Sequence, residues 1–475
     1  MHSSPHARRT PRSLVTSIPA QADDGRVLSR DACRTVADRF FAKTHGGGDT
    51  KLNIGSQWYG TMRWARNKVT AGSDLRFTDF TLSRRIRGAT GSGTTNSSDD
   101  AMIQACVDRV EALVRFRTED PDQLYPDTPA VTNPHTKPVL WFDATYGLDA
   151  EARGQLAEAR IAQVEGTGFL SAAYLQTSAN GIAVVDTGGL FRYYPTTLAE
   201  FSVTVRTPKT GGSGWAGVDF NDWRRIDTAA LMRIAIDKCE RSRNPVAVEP
   251  GRYTAVLEPQ AVCDLFAPVF AVAMEREPAE RGSGPFAAGG GNSKIGERVL
   301  DSRITVSADP MDPDCGFVPF DFYGEPHVKV NWFEQGVLKE LSYPRSYGLQ
   351  QLNKDAALPN SGAFHMTAVG ATATVDEMIA TTERGLLVTR FNNIQLLDRR
   401  TLMLTGNTRD GIWLIEKGKI SKPVKNFRFT ESPLFAFNNV EQIGVPQRVY
   451  RRWSPAVVPP VKVRDFSFTA LMDAV

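Results

Sequence analysis

The sequence predicts an α+β fold: a mixed N-terminal part of sheet and helix, followed by a sheet-rich C-terminal part. Three observations carry this. Segments with helical spacing of apolar residues alternate with strand-like stretches up to about residue 244. From Gly251 the pattern changes to short strands joined by hairpin turns. At 475 residues, with 41% apolar and 23% charged content, the chain has ordinary globular composition and length for two or three domains. Residues 1–28 read as a disordered leader, 29–120 as an N-terminal α+β domain, 121–244 as a linker and central domain, and 245–475 as the C-terminal sheet-rich domain.

Each element has a local reason. Ser29 to Thr44 reads as a first helix, and the glycines from Gly46 to Gly48 break it before an alternating, strand-like stretch to about Arg87. The polar loop Gly91 to Ser98 offers Ser and Asp caps for an amphipathic helix from Asp100 to about Arg117, with Met102, Ile103, Cys106, Val110, Leu113 and Val114 on one face. Pro121 to Pro138 is the best linker because proline recurs through it. A helix is expected from Asp149 to about Val164, then strands from Gly166 to Gly217, then a helix capped by Asp227 that runs to about Arg243, ahead of Pro245. Trp332 to Val337 and Leu414 to Lys419 read as hairpins turning at Gly336 and Gly418. Thr374 and Glu377 make a capping box for a short helix that Gly385 would close.

Composition excludes several function classes. A net charge of +3 over this length gives no strong field, so neither a nucleic acid nor a membrane surface is demanded as partner. No run approaches the roughly 18 apolar residues of a membrane span. The cysteines at 33, 106, 239, 263 and 315 are odd in number and never spaced as C-x-x-C, which fits reduced, buried thiols in a cytoplasmic protein. Arg8, Arg9 and Arg12 are followed by no apolar stretch, so the leader is not expected to be a signal peptide. The excess of arginine over lysine points to a GC-rich bacterial genome.

A helix-borne His-Glu zinc site is absent. Of the histidines at 2, 6, 45, 135, 327 and 365, only His2 and His6 are one helical turn apart, with Pro5 between them and no glutamate after His2. Gly212, Gly214 and Gly217 match a dinucleotide fingerprint, but Trp215 would crowd the pyrophosphate and no helix opens after it, so a glycine-rich turn is expected. Asp309, Asp312 and Asp314 miss the calcium-loop spacing. Arg448, Arg451 and Arg452 interleave with Tyr450 and Trp453, a pattern known from single-stranded nucleic acid sites but more often a solvated or partner-facing surface. His365 and His327, each after a polar loop, remain candidates for a functional group.

Read together, Gly166–Gly168, Glu249–Pro259, Lys294–Glu297, Gly385–Thr389, Arg409–Glu416 and Pro423–Phe427 resemble the TldD/PmbA family, also called modulators of DNA gyrase, over about Asp31 to Gly444. In that family the TldD-type subunit carries His-Glu-x-x-x-His on a helix and a third zinc ligand from a cysteine near the C-terminal hairpins. Here the matching helix, expected over Gln260 to about Glu275, has no histidine, and the matching hairpin segment reads Asn407 to Asp410, with no cysteine after Cys315. The resemblance is therefore to the TldE/PmbA-type subunit. It implies a heterodimer with a TldD-type zinc subunit, a peptide or peptide-like substrate, and no zinc in this chain. Arg409 and Asp410 lie where the family's ligand region would be and are the expected substrate contacts, together with His365 and His327. A scaffold or regulator without proteolysis, and an enzyme on a small amide in natural-product maturation with an unusual site, are the alternative readings.

Overall fold

The computed structural model describes residues 25–117, 138–452 and 454–472. Residues 1–24 of the expected leader, 121–137 of the expected linker and Trp453 lie outside the described residues.

The first layer is a six-stranded antiparallel sheet. Its strands are β1 (Asp49–Ala65), β2 (Lys68–Ile86), β3 (Ala89–Thr95), β4 (Leu170–Asp186), β5 (Phe191–Arg206) and β6 (Ser213–Phe220), in the order β3-β2-β1-β4-β5-β6. Strands on both sides of the expected 120/121 boundary thus pair directly, β1 with β4. Successive side chains in a strand point to opposite faces, so the register sorts them. One face carries Leu52, Ile54, Ala183, Leu175, Phe201 and Val203. The helices α1 (Arg30–Ala42), α2 (Asp100–Phe116), α3 (Asp143–Tyr146), α4 (Ala150–Val164) and α5 (Thr228–Arg241) pack on it. Asp227 caps α5 as expected, and Ser29 and Asp149 likewise each accept a backbone N–H as N-cap, whereas Asp99 at the start of α2 makes no side-chain cap bond.

The opposite face bears no helix; one end is apolar, where Ile182, Val184 and Tyr194 pack with Phe320, and the rest is polar. Cross-strand rows place Thr61 beside Gln176, Gln176 beside Glu200, and Glu200 beside Asp219. Gln57, Tyr59, Tyr174 and Asn180 share this face.

The C-terminal part begins with β7 (Gly251–Leu257) and α6 (Pro259–Val272), followed by the small hairpin β8 (Ala287–Gly289) and β9 (Asn292–Ser293). Next come β10 (Ile304–Ala308), β11 (Val330–Glu334), β12 (Val337–Leu338) and β13 (Phe364–Ala368). The chain ends with β14 (Arg384–Asp398), β15 (Met403–Glu416), β16 (Lys419–Pro423), β17 (Phe427–Glu431), β18 (Val440–Ile443), β19 (Gln447–Arg448), β20 (Ala456–Val458) and β21 (Val461–Leu471). One sheet runs β12-β11-β10-β13-β20-β19. In the other, pairing passes from β14 through β7, β21, β17 and β15 and returns to β14, closing a five-stranded ring. Closure leaves no exposed edge within the ring. Helix α6 lies between the two sheets and is apolar nearly all round, with Val262, Leu265, Phe266, Val269 and Phe270 buried, as a helix inside a core must be.

Three local expectations change. The short helix Val375–Ala380 has the expected capping box of Thr374 and Glu377 but ends at Thr381, and Gly385 sits inside β14, where a Cβ would lie 2.5 Å from the carbonyl oxygen of Thr254. Gly214 and Gly217 lie in β6 and not in a turn. A Cβ on Gly214 would meet the Ala235 carbonyl at 2.2 Å, so glycine here serves the close approach of α5 to the sheet. Helix α6 stops at Val272, short of the expected Glu275.

Candidate functional site

The polar face of the N-terminal sheet meets the C-terminal part along a seam that is built from charge. Glu200 on β5 and Asp219 on β6 are direct cross-strand neighbours, and both are essentially buried. Like charges directly opposite one another destabilise a sheet, and buried carboxylates need partners, so this pair requires cations from outside the sheet. The segment after β19 supplies them. Arg448 Nε donates to Asp219 Oδ1 at 3.1 Å, and the backbone N–H groups of Arg451 and Arg452 donate to Asp219 Oδ2 at 2.6 and 2.7 Å. Arg452, in the left-handed region at φ +66°, directs its guanidinium to Glu200, with Nε 3.0 Å from Oε2. Burial pushes the Glu200 carboxyl above its usual range and Arg452 pulls it back. Arg451 is held to the Gly362 carbonyl and lies 4.9 Å over the Phe364 ring.

The Arg448 and Arg452 side chains tie across the seam to Asp219 and Glu200, while that of Arg451 bonds Gly362 within the C-terminal part. Asp410 is at the seam as well. It lies within β15, not at the start of a hairpin, at φ +57° and followed by Gly411 at φ +118°, which bulges the strand opposite Thr389. Its buried carboxylate accepts from Ser213 Oγ of β6 at 2.6 Å and from Arg390 Nε at 3.0 Å, with Arg409 Nε at 3.7 Å. Asp410 therefore joins the two parts of the molecule.

The two histidines are separate from the seam contacts. His365 on β13 shares a hydrogen bond of 2.7 Å between Nδ1 and Asp312 Oδ2, and its side chain is partly exposed. Burial would raise the Asp312 carboxyl, but the hydrogen bond from His365 and the N–H groups of Asp314 and Cys315 hold it below the usual range. Asp309 pairs with Lys329, Asp314 with Arg225 and Asp312 with the His365 ring, so the acidic trio of that loop is divided among three partners and does not converge on one ion. His327 is buried, and its Nδ1 donates to the Val318 carbonyl at 2.8 Å. Burial lowers its pKa, and its Nε2 has no partner among the described residues.

At the first turn of α6, Gln260 Nε2 donates to Asp264 Oδ1 at 2.9 Å and to the Tyr450 carbonyl at 3.1 Å, and Asp264 Oδ2 accepts the Phe391 N–H at 2.9 Å. Burial pushes Asp264 up to about 6 against these bonds and nearby Arg390. Burial also pushes the Cys263 thiol far up and the Cys315 thiol up to about 12. A zinc site needs ionised thiolates or free imidazoles and carboxylates. The residues present do not fit one: α6 carries no histidine, and the Asp264 carboxylate is already bonded to Gln260 and Phe391. Among the described residues, no group of three His, Cys, Asp or Glu side chains is arranged to hold a metal ion.

Sequence reasoning missed Glu200, Asp219 and Asp264. The available signal was a charged residue inside a stretch otherwise read as buried strand or helix, with Glu200 between Ala199 and Phe201 and Asp264 between Cys263 and Leu265.

Residues 250–470 match the family model of the PmbA/TldA metallopeptidase C-terminal domain. The C-terminal part, residues 250–470, is therefore a domain of the TldD/PmbA family. Solved structures agree in fold across both parts. A modulator of DNA gyrase from Thermotoga maritima superposes with a TM-score of 0.79 at 13% identity, covering 92% of this chain and 100% of the other. One from Bacteroides thetaiotaomicron gives 0.77 at 18%, over 92% and 98%. TldE from Thermococcus kodakarensis gives 0.75 at 13%, over 92% and 99%. No curated protein matches the chain in sequence. Among the described residues, no helix is long and apolar enough to cross a membrane.

Proposed function

We propose that this chain is the non-metal subunit of a TldD/TldE-type heterodimeric zinc metallopeptidase that trims peptides or peptide-like substrates in the cytoplasm. One observation carries the reading. By the resemblance, the helix that bears His-Glu-x-x-x-His in the zinc subunit corresponds to α6, whose first turns here hold Gln260 and Asp264, bonded to Tyr450 and Phe391. A position that can no longer hold metal yet keeps the family fold suits a subunit that shapes a chamber while its partner supplies the zinc. The helix-free face of the N-terminal sheet offers a wall for such a chamber, since Gln57, Tyr59, Tyr174 and Asn180 present amides and phenols that can bond a peptide main chain. Co-expression with a His-Glu-x-x-x-His subunit from the same genome tests this. The pair should co-purify and cleave an unstructured peptide in a zinc-dependent way. Failure of the two chains to associate would overturn the reading.

A second reading, an enzyme on a small amide, is favoured by the His365–Asp312 pair, because a histidine oriented by a carboxylate is poised as a general base. It requires amide hydrolysis by the isolated chain that disappears in His365→Ala.

A further inference from the structure

The outer side of the five-stranded ring carries a pocket of about 380 Å³, within the roughly 300–1,000 Å³ range of small-molecule sites. Glu431 at the end of β17 contributes to its lining and is only 6% exposed. Its Oε1 accepts the Ser432 N–H at 2.9 Å and its Oε2 the Ser467 N–H at 3.2 Å. Each carboxylate oxygen has two lone pairs, so each can accept again. Burial pushes this carboxyl up, and Arg252 acts on it from a distance in the opposite sense. A buried acid whose bonded partners are backbone groups is short of a cation.

The rim carries the complementary charge. Arg252 Nη1 is fixed on the Asp465 carbonyl at 2.8 Å, and Arg464, also in the lining, has a side chain 59% exposed whose Nε lies 3.6 Å from Glu441 Oε1, a loose surface pair that leaves the guanidinium donors open to a ligand. Both guanidiniums are placed by a bulge. The register of β21 against β7 shifts between Val463 and Phe466, and Asp465 adopts φ +55°, a strained conformation for a non-glycine residue. Bulges of this kind re-aim side chains beside binding sites. Met403 and Phe435 supply apolar wall, and Phe435 is 53% exposed.

An anionic floor, a cationic rim and an apolar wall in one small pocket select a ligand with an ammonium, a carboxylate and an apolar body. We infer that this pocket binds the zwitterion of an apolar α-amino acid or short peptide, its ammonium on Glu431 and its carboxylate on Arg252 and Arg464. The inference goes beyond the subunit assignment, because such a ligand is what a peptidase releases, and binding needs no partner chain.

Calorimetric titration of the isolated full chain with L-leucine, glycyl-leucine and N-acetyl-leucinamide tests it. L-leucine or glycyl-leucine should bind saturably at one per chain, and N-acetyl-leucinamide, which lacks both charges, should not. Arg464→Ala should weaken binding about tenfold or more, the loss expected for one charged hydrogen bond, and Phe435→Ala should weaken it as well. Glu431→Gln should abolish it. If that variant does not fold, the two exposed-residue variants still decide. The inference is overturned by no saturable binding of leucine or glycyl-leucine, by equal binding of the blocked amide, or by unchanged affinity in both Arg464→Ala and Phe435→Ala. None of these outcomes depends on whether a zinc subunit associates.

Discussion

Asp219→Asn is the sharpest probe of the seam. The substitution keeps shape and removes charge. The native carboxylate accepts two backbone N–H groups on one oxygen and the Arg448 guanidinium on the other. An asparagine can turn its carbonyl oxygen toward only one of these sets. If it keeps the backbone N–H groups, its NH₂ faces a guanidinium that is 7% exposed and has lost its counter-charge. Breaking a buried pair on one side costs about 3–5 kcal/mol. Relief of the like-charge contact with Glu200 returns up to about 1 kcal/mol. The expected net loss is therefore about 2–5 kcal/mol. Urea unfolding followed by tryptophan fluorescence and by far-ultraviolet circular dichroism measures it, and the two probes should separate if the two parts come undone independently. The double variant Asp219→Asn with Arg448→Met should recover much of the loss, because it removes the stranded charge. A single-variant loss under about 1 kcal/mol, or losses that simply add in the double variant, would refute the account of the seam.

Other outcomes follow from the same structure. Because Asp264 is raised to about 6 in the folded chain, folding is favoured by its protonation. That contribution is fully present below the unfolded carboxyl range near pH 4 and lost as pH rises through 6, about 3 kcal/mol in all. Asp264→Asn should flatten this dependence, and an unchanged slope of urea midpoint against pH between 4 and 6 would count against it. Gly214→Ala should cost about 1–3 kcal/mol in thermal unfolding, since its Cβ meets the Ala235 carbonyl at 2.2 Å. All five cysteines are buried, so a thiol reagent should label none of them promptly in the native chain and all of them in denaturant.

The helices were legible because their start signals and apolar spacing are local: helices begin next to Ser29 and Asp149 as expected, and Asp227 caps where the sequence places it. The hairpins at Gly336 and Gly418 were legible for the same reason. Gly214 misled because glycine marks a turn by its conformational freedom and a close helix–strand contact by its missing side chain, and the sequence does not distinguish the two. The seam was invisible for a different reason. An arginine run looks the same whether it faces solvent or a carboxylate from a distant strand, and Asp410 looks like a turn residue until Ser213 is brought against it. The lack of histidine in the α6 segment, by contrast, is read from the sequence directly.

The side-by-side carboxylates of β5 and β6 also constrain how the chain is made. Arg448 lies 229 residues after Asp219, and Arg452 lies 252 after Glu200. At synthesis rates of about 5–20 residues per second, the N-terminal sheet waits on the order of 10–50 s for the arginines that neutralise it. During that interval its polar face must stay hydrated and its last two strands loosely paired. A truncated N-terminal half should therefore behave as an incomplete sheet, and arrival of the C-terminal half is the event that commits the whole molecule to its final shape.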